Sequence, residues 1–293
     1  MTTGVSVIVP SYEAWPILHR TLAAVVHDCR LLAAPWEVLV VDNDSGAEFH
    51  RRAGEFVRHN DGVRLVARRD LAGRNFQPGA ARNLGVDHAR HECLVFLDAD
   101  CIPAEGLVET YRRLAGGRRD TVFVGHRVFV DSAPVGADEL AADRGLLDKL
   151  EPVASTSNYG SPVERRMPEL LALADHPRPY DCMYACNMAM HRDCLGELRF
   201  AAVFDGRWGY EDIELGYRLH EAGRKFRYVP EAAVYHQEGG SLSPADRAAG
   251  RRHNFAIADT MIDGFARYRH GISRRGAVPT RSEHGGAGCT SDS

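Results

Sequence analysis

The first hundred residues alternate between short continuous apolar runs and longer stretches with helical spacing. Residues 5–10 (VSVIVP) are apolar and end at a proline, the pattern of a strand buried on both faces. Residues 15–31 carry Leu18, Leu22, Val25, Val26 and Cys29 at helical spacing. Residues 37–41 (EVLVV) form a second buried strand, stopped by the turn-forming run Asp42-Asn43-Asp44-Ser45-Gly46. A third strand over 63–67, a helix over 79–89 and a fourth strand over 93–97 (CLVFL) complete the series. Strands alternating with helices predict βαβ units, hence an α/β fold with a doubly wound, mostly parallel sheet flanked by helices.

The pattern loosens afterwards. Residues 122–128 predict a strand and 137–149 a helix, whereas 151–178 lack periodicity and read as a loop or lid. An apolar run at 184–190 precedes a helix over 211–222 and short strands at 226–229 and 232–235. A last helix is expected over 244–268, with Phe255, Ala258, Ile262 and Phe265 as its apolar stripe. Residues 271–293 are polar and rich in glycine and serine, and are expected to be disordered. With no repeat and no proline-rich linker, residues 1–240 read as one domain, 241–270 as a C-terminal helix and 271–293 as a tail.

Composition narrows the class. Hydrophobic residues make up 44% and charged residues 26%, which excludes a disordered or fibrous chain. A net charge of −4 argues against broad nucleic-acid binding. No apolar run approaches the ~18 residues of a membrane span, and the N-terminus lacks a signal-peptide pattern. The expected location is cytoplasmic, with peripheral membrane contact left open. Seven cysteines, an odd number, then read as reduced and mostly buried thiols. Cys182, Cys186, His191 and Cys194 can be drawn as a zinc site, but their spacing fits none of the common patterns.

Chemistry is sought at strand ends, because ligands of open parallel sheets sit beyond the carboxyl ends of the strands. The first strand ends in Pro10-Ser11-Tyr12-Glu13, the second in Asp42-Asn43 and the fourth in Asp98-Ala99-Asp100. Two carboxylates one residue apart after a buried strand can converge on Mg²⁺ or Mn²⁺. The run Gly79-Ala80-Ala81-Arg82-Asn83 opens a helix, where a helix N-terminus and an arginine fork suit phosphate. Trp208-Gly209-Tyr210-Glu211-Asp212 offers a flexible aromatic loop beside two acids, able to hold a polar ring and to supply a general base. His236, leaving a late strand, is a third metal-ligand candidate. A dehydrogenase is disfavoured, since no G-x-G-x-x-G follows the first strand.

Taken in order, VSVIVPSYE, EVLVVDNDS, GAARNLG, FLDAD, WGYEDIEL and Tyr235-His236 resemble the family 2 glycosyltransferases of GT-A fold. The resemblance implies an inverting, metal-dependent transferase using a nucleotide sugar, UDP-linked, with Mn²⁺ or Mg²⁺ as cofactor. It implies a nucleotide-sugar half over 1–115 and an acceptor half over 116–240. Pro10, Ser11, Tyr12 and Glu13 would line the nucleoside pocket, with Asp42 and Asn43 helping to read the base. Asn43 stands where the family usually has a second aspartate. Arg82 and Asn83 would lie near ribose or diphosphate. Asp98 and Asp100 match the D-x-D motif, Asp98 also meeting the nucleotide, and His236 matches a metal-ligand histidine. Asp212 would be the base and Glu211 would position an acceptor held at Trp208 and Gly209. That acceptor would be a small molecule, a peptide or a glycan. Arg247, Arg251 and Arg252 would either close over the diphosphate, touch an anionic surface, or form a solvated helix face, the last being favoured. The alternatives are a degenerate nucleotide-sugar binding module or a sugar nucleotidylyltransferase.

Overall fold

A computed structural model describes residues 3–68, 77–155, 158, 160–238 and 243–267. The predicted alternation is realised as β1 (Val5–Ser11), α1 (Trp15–Arg30), β2 (Trp36–Asn43), α2 (Ala47–Arg58), β3 (Val63–Arg68), α3 (Pro78–His88) and β4 (Cys93–Leu97). Then come β5 (Cys101–Pro103), α4 (Leu107–Gly117), β6 (Thr121–Val130), α5 (Ala137–Ala142), α6 (Met167–Leu171) and β7 (Asn187–His191). The chain continues through α7 (Arg192–Leu195), α8 (Glu211–Glu221), β8 (Lys225–Gln237) and α9 (Pro244–Met261). The expected tail over 271–293 lies outside the described residues.

The strands form one sheet in the order β3-β2-β1-β4-β7-β6-β8-β5. Pairs β1·β2, β1·β4, β2·β3 and β6·β8 are parallel, while β7 runs against both of its neighbours and β5 against β8. Two reversals in succession leave β6 and β8 pointing the same way as β4. The carboxyl ends of β1, β2, β4 and β8 therefore share one edge.

Chain connectivity forces this sheet to curl. β4 and β5 are separated by four strand spacings, about 19 Å at ~4.8 Å each. The link from Leu97 to Cys101 is four residue steps, able to span only about 14 Å. A flat sheet cannot satisfy both, so the β8–β5 edge folds round towards the end of β4, and the Asp98-Ala99-Asp100 turn bridges the gap. Its backbone is held throughout. Asp98 N donates to Cys186 O at 3.3 Å, and Ala99 O accepts from the Thr21 hydroxyl at 2.7 Å. Asp100 O accepts from Gln237 N at 2.8 Å.

Three expectations change in the second half. The two short strands at 226–229 and 232–235 are one strand, β8, interrupted by a shift of register against β6 between Gly125 and His126. Pro230, which has no N–H for a ladder, lies in the bulge, and Asn187 Nδ2 bonds the carbonyls of His126 and Ala232, both at 2.9 Å. The helix expected over 137–149 stops at Ala142, and a 3₁₀ turn follows, capped by Asp143 accepting from Gly145 N. Residues 151–178 are not an unanchored lid. Glu164, buried, pairs with Arg127 and Arg166, and Ser155 donates to Glu238 at 2.7 Å.

The core runs from Val5 in β1 to Ala258, Ile262 and Phe265, so α9 packs into the same apolar body as the sheet. Gly85 shows why α3 can lie flat on β1 and β2. A Cβ there would collide with Ile8 Cγ2 and come within 3.2 Å of Val41 Cγ2. Alanine normally favours a helix by about 1 kcal/mol over glycine, whereas overpacking costs about 1–3 kcal/mol. Gly85→Ala is therefore expected to lower the urea unfolding midpoint; an unchanged or raised midpoint would contradict this close approach.

Candidate active site

Arg82 projects from the second turn of α3 and is 3% exposed. Its Nη2 donates to Asp98 Oδ1 at 2.6 Å, and its Nη1 donates to Glu211 Oε1 at 3.1 Å. Burial disfavours its charge, but Asp98 and Glu211 more than compensate and keep it cationic. The guanidinium also lies 5.3 Å from the Phe200 ring centroid. One side chain thus joins the turn after β4 to the start of α8.

Burial and the neighbouring Asp212 charge push the Glu211 carboxyl up to about 7, against the pull of Arg82. Asp212 Oδ1 accepts from Ile213 N at 2.8 Å. Among the described residues its Oδ2 has no hydrogen-bond donor. The backbone before this pair is unusual: Gly206 and Gly209 have φ of +84° and +106°, and Tyr210 itself has φ +74°. Left-handed backbone at a tyrosine costs about 1–2 kcal/mol. Its ring is packed edge-on against Phe255 and Phe265, which holds it there.

Register brings the metal candidates together. Cys101 pairs with His236 across β5 and β8, which sets Asp100 beside the imidazole. Asp100 Oδ2 lies 3.7 Å from His236 Nε2. Asp100, Cys101 and His236 form a group whose ligand atoms lie within 4.8 Å of one another. Among the described residues His236 Nδ1 is buried without a hydrogen-bond partner, and Glu238 Oε1 lies 3.7 Å from it. Burial raises the Asp100 carboxyl, and the imidazole draws it back. Burial also pushes the Cys101 thiol well up, so it stays neutral. Carboxylate and imidazole fit a divalent cation. Asp98 turns instead to Arg82 and lies outside this group.

At the other strand ends the polar residues largely bind one another. The Asp42 carboxylate accepts from Ser45 N at 3.2 Å and faces His50 Nε2 at 2.9 Å. Glu13, at φ +49°, accepts from Gly46 N through its carboxylate and donates its own N–H to Ser45 Oγ at 2.9 Å. That stitches the loop after β1 to the loop after β2. Pro10 and Ser11 end β1, Ser11 opposite Asp42, and among the described residues the buried Ser11 hydroxyl has no hydrogen-bond partner. Tyr12 is half-buried beside them, and Asn43 is 4% exposed at the end of β2.

Residues 6–140, which contain the first two strand ends, Arg82 and the Asp98–Asp100 turn, match the family described as Glycosyl transferase family 2. Over those residues the chain is similar to family 2 glycosyltransferases, and the likeness to glycosyltransferases extends beyond them. It is 29% identical over 273 residues to a chondroitin synthase of Pasteurella multocida, covering 88% of this chain and 27% of that protein. It is 25% identical over 290 residues to the polypeptide N-acetylgalactosaminyltransferase 6 of Mus musculus, covering 92% of this chain and 44% of that protein. The chain thus spans less than half the length of either relative. The structure of S. aureus TarS residues 1–349 superposes with a TM-score of 0.56 at 16% identity, over 93% of this chain and 73% of that one. The fold is of the GT-A type.

Within this fold, several expected residues acquire specific positions. Asn83 is turned to structure: its amide exchanges two 2.9 Å hydrogen bonds with the Phe200 backbone. The guanidinium groups of Arg247 and Arg251 lie 5.9 and 5.0 Å from the Trp208 ring, so these two do not form a solvated face; Arg252 is exposed. Arg247 also exerts its charge on Asp100. Cys182, Cys186 and Cys194 are buried thiols outside any disulfide among the described residues, and His191 groups instead with Glu92 and Asp193. Cys101 was missed because only the strand register places it opposite His236. No helix among the described residues is long and apolar enough to cross a membrane.

The raised Glu211 carboxyl has a consequence for stability. Between the unfolded value near 4.5 and about 7, the folded state binds more protons than the unfolded state. Ionising Glu211 in place therefore costs stability as pH rises through that window. In ligand-free protein, the Tm of Glu211→Gln relative to the parent is expected to rise between pH 5 and pH 8. A pH-independent difference would contradict the buried, repelled carboxylate.

Proposed function

We propose that the chain is an inverting, metal-dependent glycosyltransferase that moves a sugar from a UDP-linked donor to an acceptor hydroxyl. One observation carries the proposal. Arg82 holds an acid of the strand-end turn and an acid of the α8 pair in one cluster, so donor chemistry and acceptor chemistry share a site. Asp98, Glu211 and Asp212 exert their charge on this buried cation, and Asp98 and Asp100 act on one another. An acidic cluster of that kind repels a diphosphate unless a divalent cation joins it.

Asp100 and His236 would hold that cation, and the imidazole nitrogen tilts the choice from Mg²⁺ towards Mn²⁺. When bound, such an ion supplies positive charge to a departing nucleoside diphosphate. The chain's own residues do the rest. Ser11 offers its unsatisfied buried hydroxyl to the nucleoside. Arg82 orients Asp98 and fixes Glu211, which leaves Asp212 as the carboxylate that takes the acceptor proton. The acceptor oxygen then attacks the anomeric carbon from the face opposite the leaving diphosphate, and the configuration inverts. Relatives named for chondroitin and for polypeptide products differ too widely to fix the acceptor, and the proposal stops at a hydroxyl.

Two variants separate the roles. Asp100→Ala is expected to weaken UDP binding at least about tenfold in Mn²⁺ by calorimetry, since it removes half of the carboxylate–imidazole pair; parental affinity would overturn the metal assignment. Asp212→Asn is expected to keep UDP affinity in Mn²⁺ and to lose at least about a hundredfold in transfer, the scale of a lost general base. Near-parental transfer would move the base elsewhere. Metal-dependent UDP binding without turnover of any nucleotide sugar by the parent would make the chain a binding module.

A further inference from the structure

The loop that delivers Glu211 and Asp212 is shaped by α9. Asn254, in the middle of that helix, is 1% exposed, and its Nδ2 reaches the carbonyls of Phe204 at 3.4 Å, Arg207 at 3.2 Å and Gly209 at 2.9 Å. Three carbonyl partners fix the amide's orientation, because only its NH₂ end donates. Among the described residues its Oδ1 is buried without a hydrogen-bond partner, a cost borne at a position where an apolar side chain would carry none. One helical turn earlier, a Cβ on Gly250 would sit 2.8 Å from Trp208 N and 3.1 Å from Trp208 O. The helix backbone therefore presses directly on the loop backbone. Arg247 and Arg251 close over the Trp208 ring from the same helix.

We propose that Asn254, together with the close approach at Gly250, is a positioning residue for transfer. It holds 204–210 in the one path that seats Glu211 on Arg82 and presents the Asp212 carboxylate to the acceptor. Neither residue touches the donor site in this account, so the coupling runs through the loop backbone. The inference rests on the transferase reading above.

The test combines Asn254→Leu, which keeps the volume and removes the donor, with Gly250→Ala, which removes nothing and pushes helix and loop apart. Hydrogen exchange of the amides at 205–210 reports loop order without any substrate. Hydrolysis of UDP-N-acetylgalactosamine and other UDP-sugars in Mn²⁺ reports turnover, and UDP calorimetry in Mn²⁺ reports the donor site. Both variants are expected to exchange at 205–210 on the order of tenfold faster and to lose about tenfold or more in kcat. Their UDP affinity should stay within about twofold of the parent. Faster exchange with parental kcat overturns the positioning role and leaves the transferase reading intact. Unchanged exchange overturns it too, as does UDP affinity falling in step with kcat. No turnover by the parent overturns the transferase reading itself, whatever exchange shows. Should Asn254→Leu fail to fold, Gly250→Ala decides alone, and its failure to fold makes α9 a fold element and overturns the proposal.

Discussion

A guanidinium buried to 3% exposure is unfavourable unless carboxylates meet it, and Arg82 is met by two that come from opposite parts of the chain. Asp98 belongs to the turn after β4, and Glu211 opens α8, more than a hundred residues later. The three side chains satisfy one another only when both segments are in place. A folding unit of ordinary α/β design thereby gathers acids from two distant segments. Under the proposed function, the negative charge left over after Arg82 is counted would suit the cluster to a cation and an anionic leaving group.

The Asp98–Asp100 turn works because the sheet cannot lie flat. A three-residue link across four strand spacings pulls the β8–β5 edge round and carries His236 to Asp100. The Thr21 hydroxyl and Gln237 N donate to its carbonyls and Asp98 N donates to Cys186 O, which holds the turn at three points. Under the proposed function such a turn would meet its ligand already ordered, with little reorganisation when charge develops. α9 would do the equivalent for Glu211 and Asp212 through Asn254 and Gly250.

Much of this was legible in the sequence, for identifiable reasons. Continuous apolar runs such as VSVIVP and CLVFL announce strands buried on both faces, and acids that abut them cannot be explained by packing. What stayed hidden depends on long-range register. The continuity of β8 through Pro230 requires the bulge opposite Gly125 and the Asn187 amide, neither of which local periodicity reveals. Cys101 looks like any buried thiol until β5 is set against β8. Asn83 looks like a phosphate donor until Phe200 occupies both ends of its amide. Asn254 left a faint signal, a polar residue four positions before Ala258 on the buried stripe of the last helix.

The central claim is that Arg82 and its two carboxylates act as one mutually dependent unit. Comparing the unfolding free energy of Arg82→Met with that of the triple variant Arg82→Met/Asp98→Asn/Glu211→Gln tests it most directly, in ligand-free protein at pH 8. Removing the cation alone leaves two acids crowded without their counter-charge, a loss of about 3–5 kcal/mol for a buried pair. Neutralising all three should recover a large part of that loss, making the triple variant the more stable of the two. A triple variant less stable than Arg82→Met, with the three losses simply adding, would contradict the account.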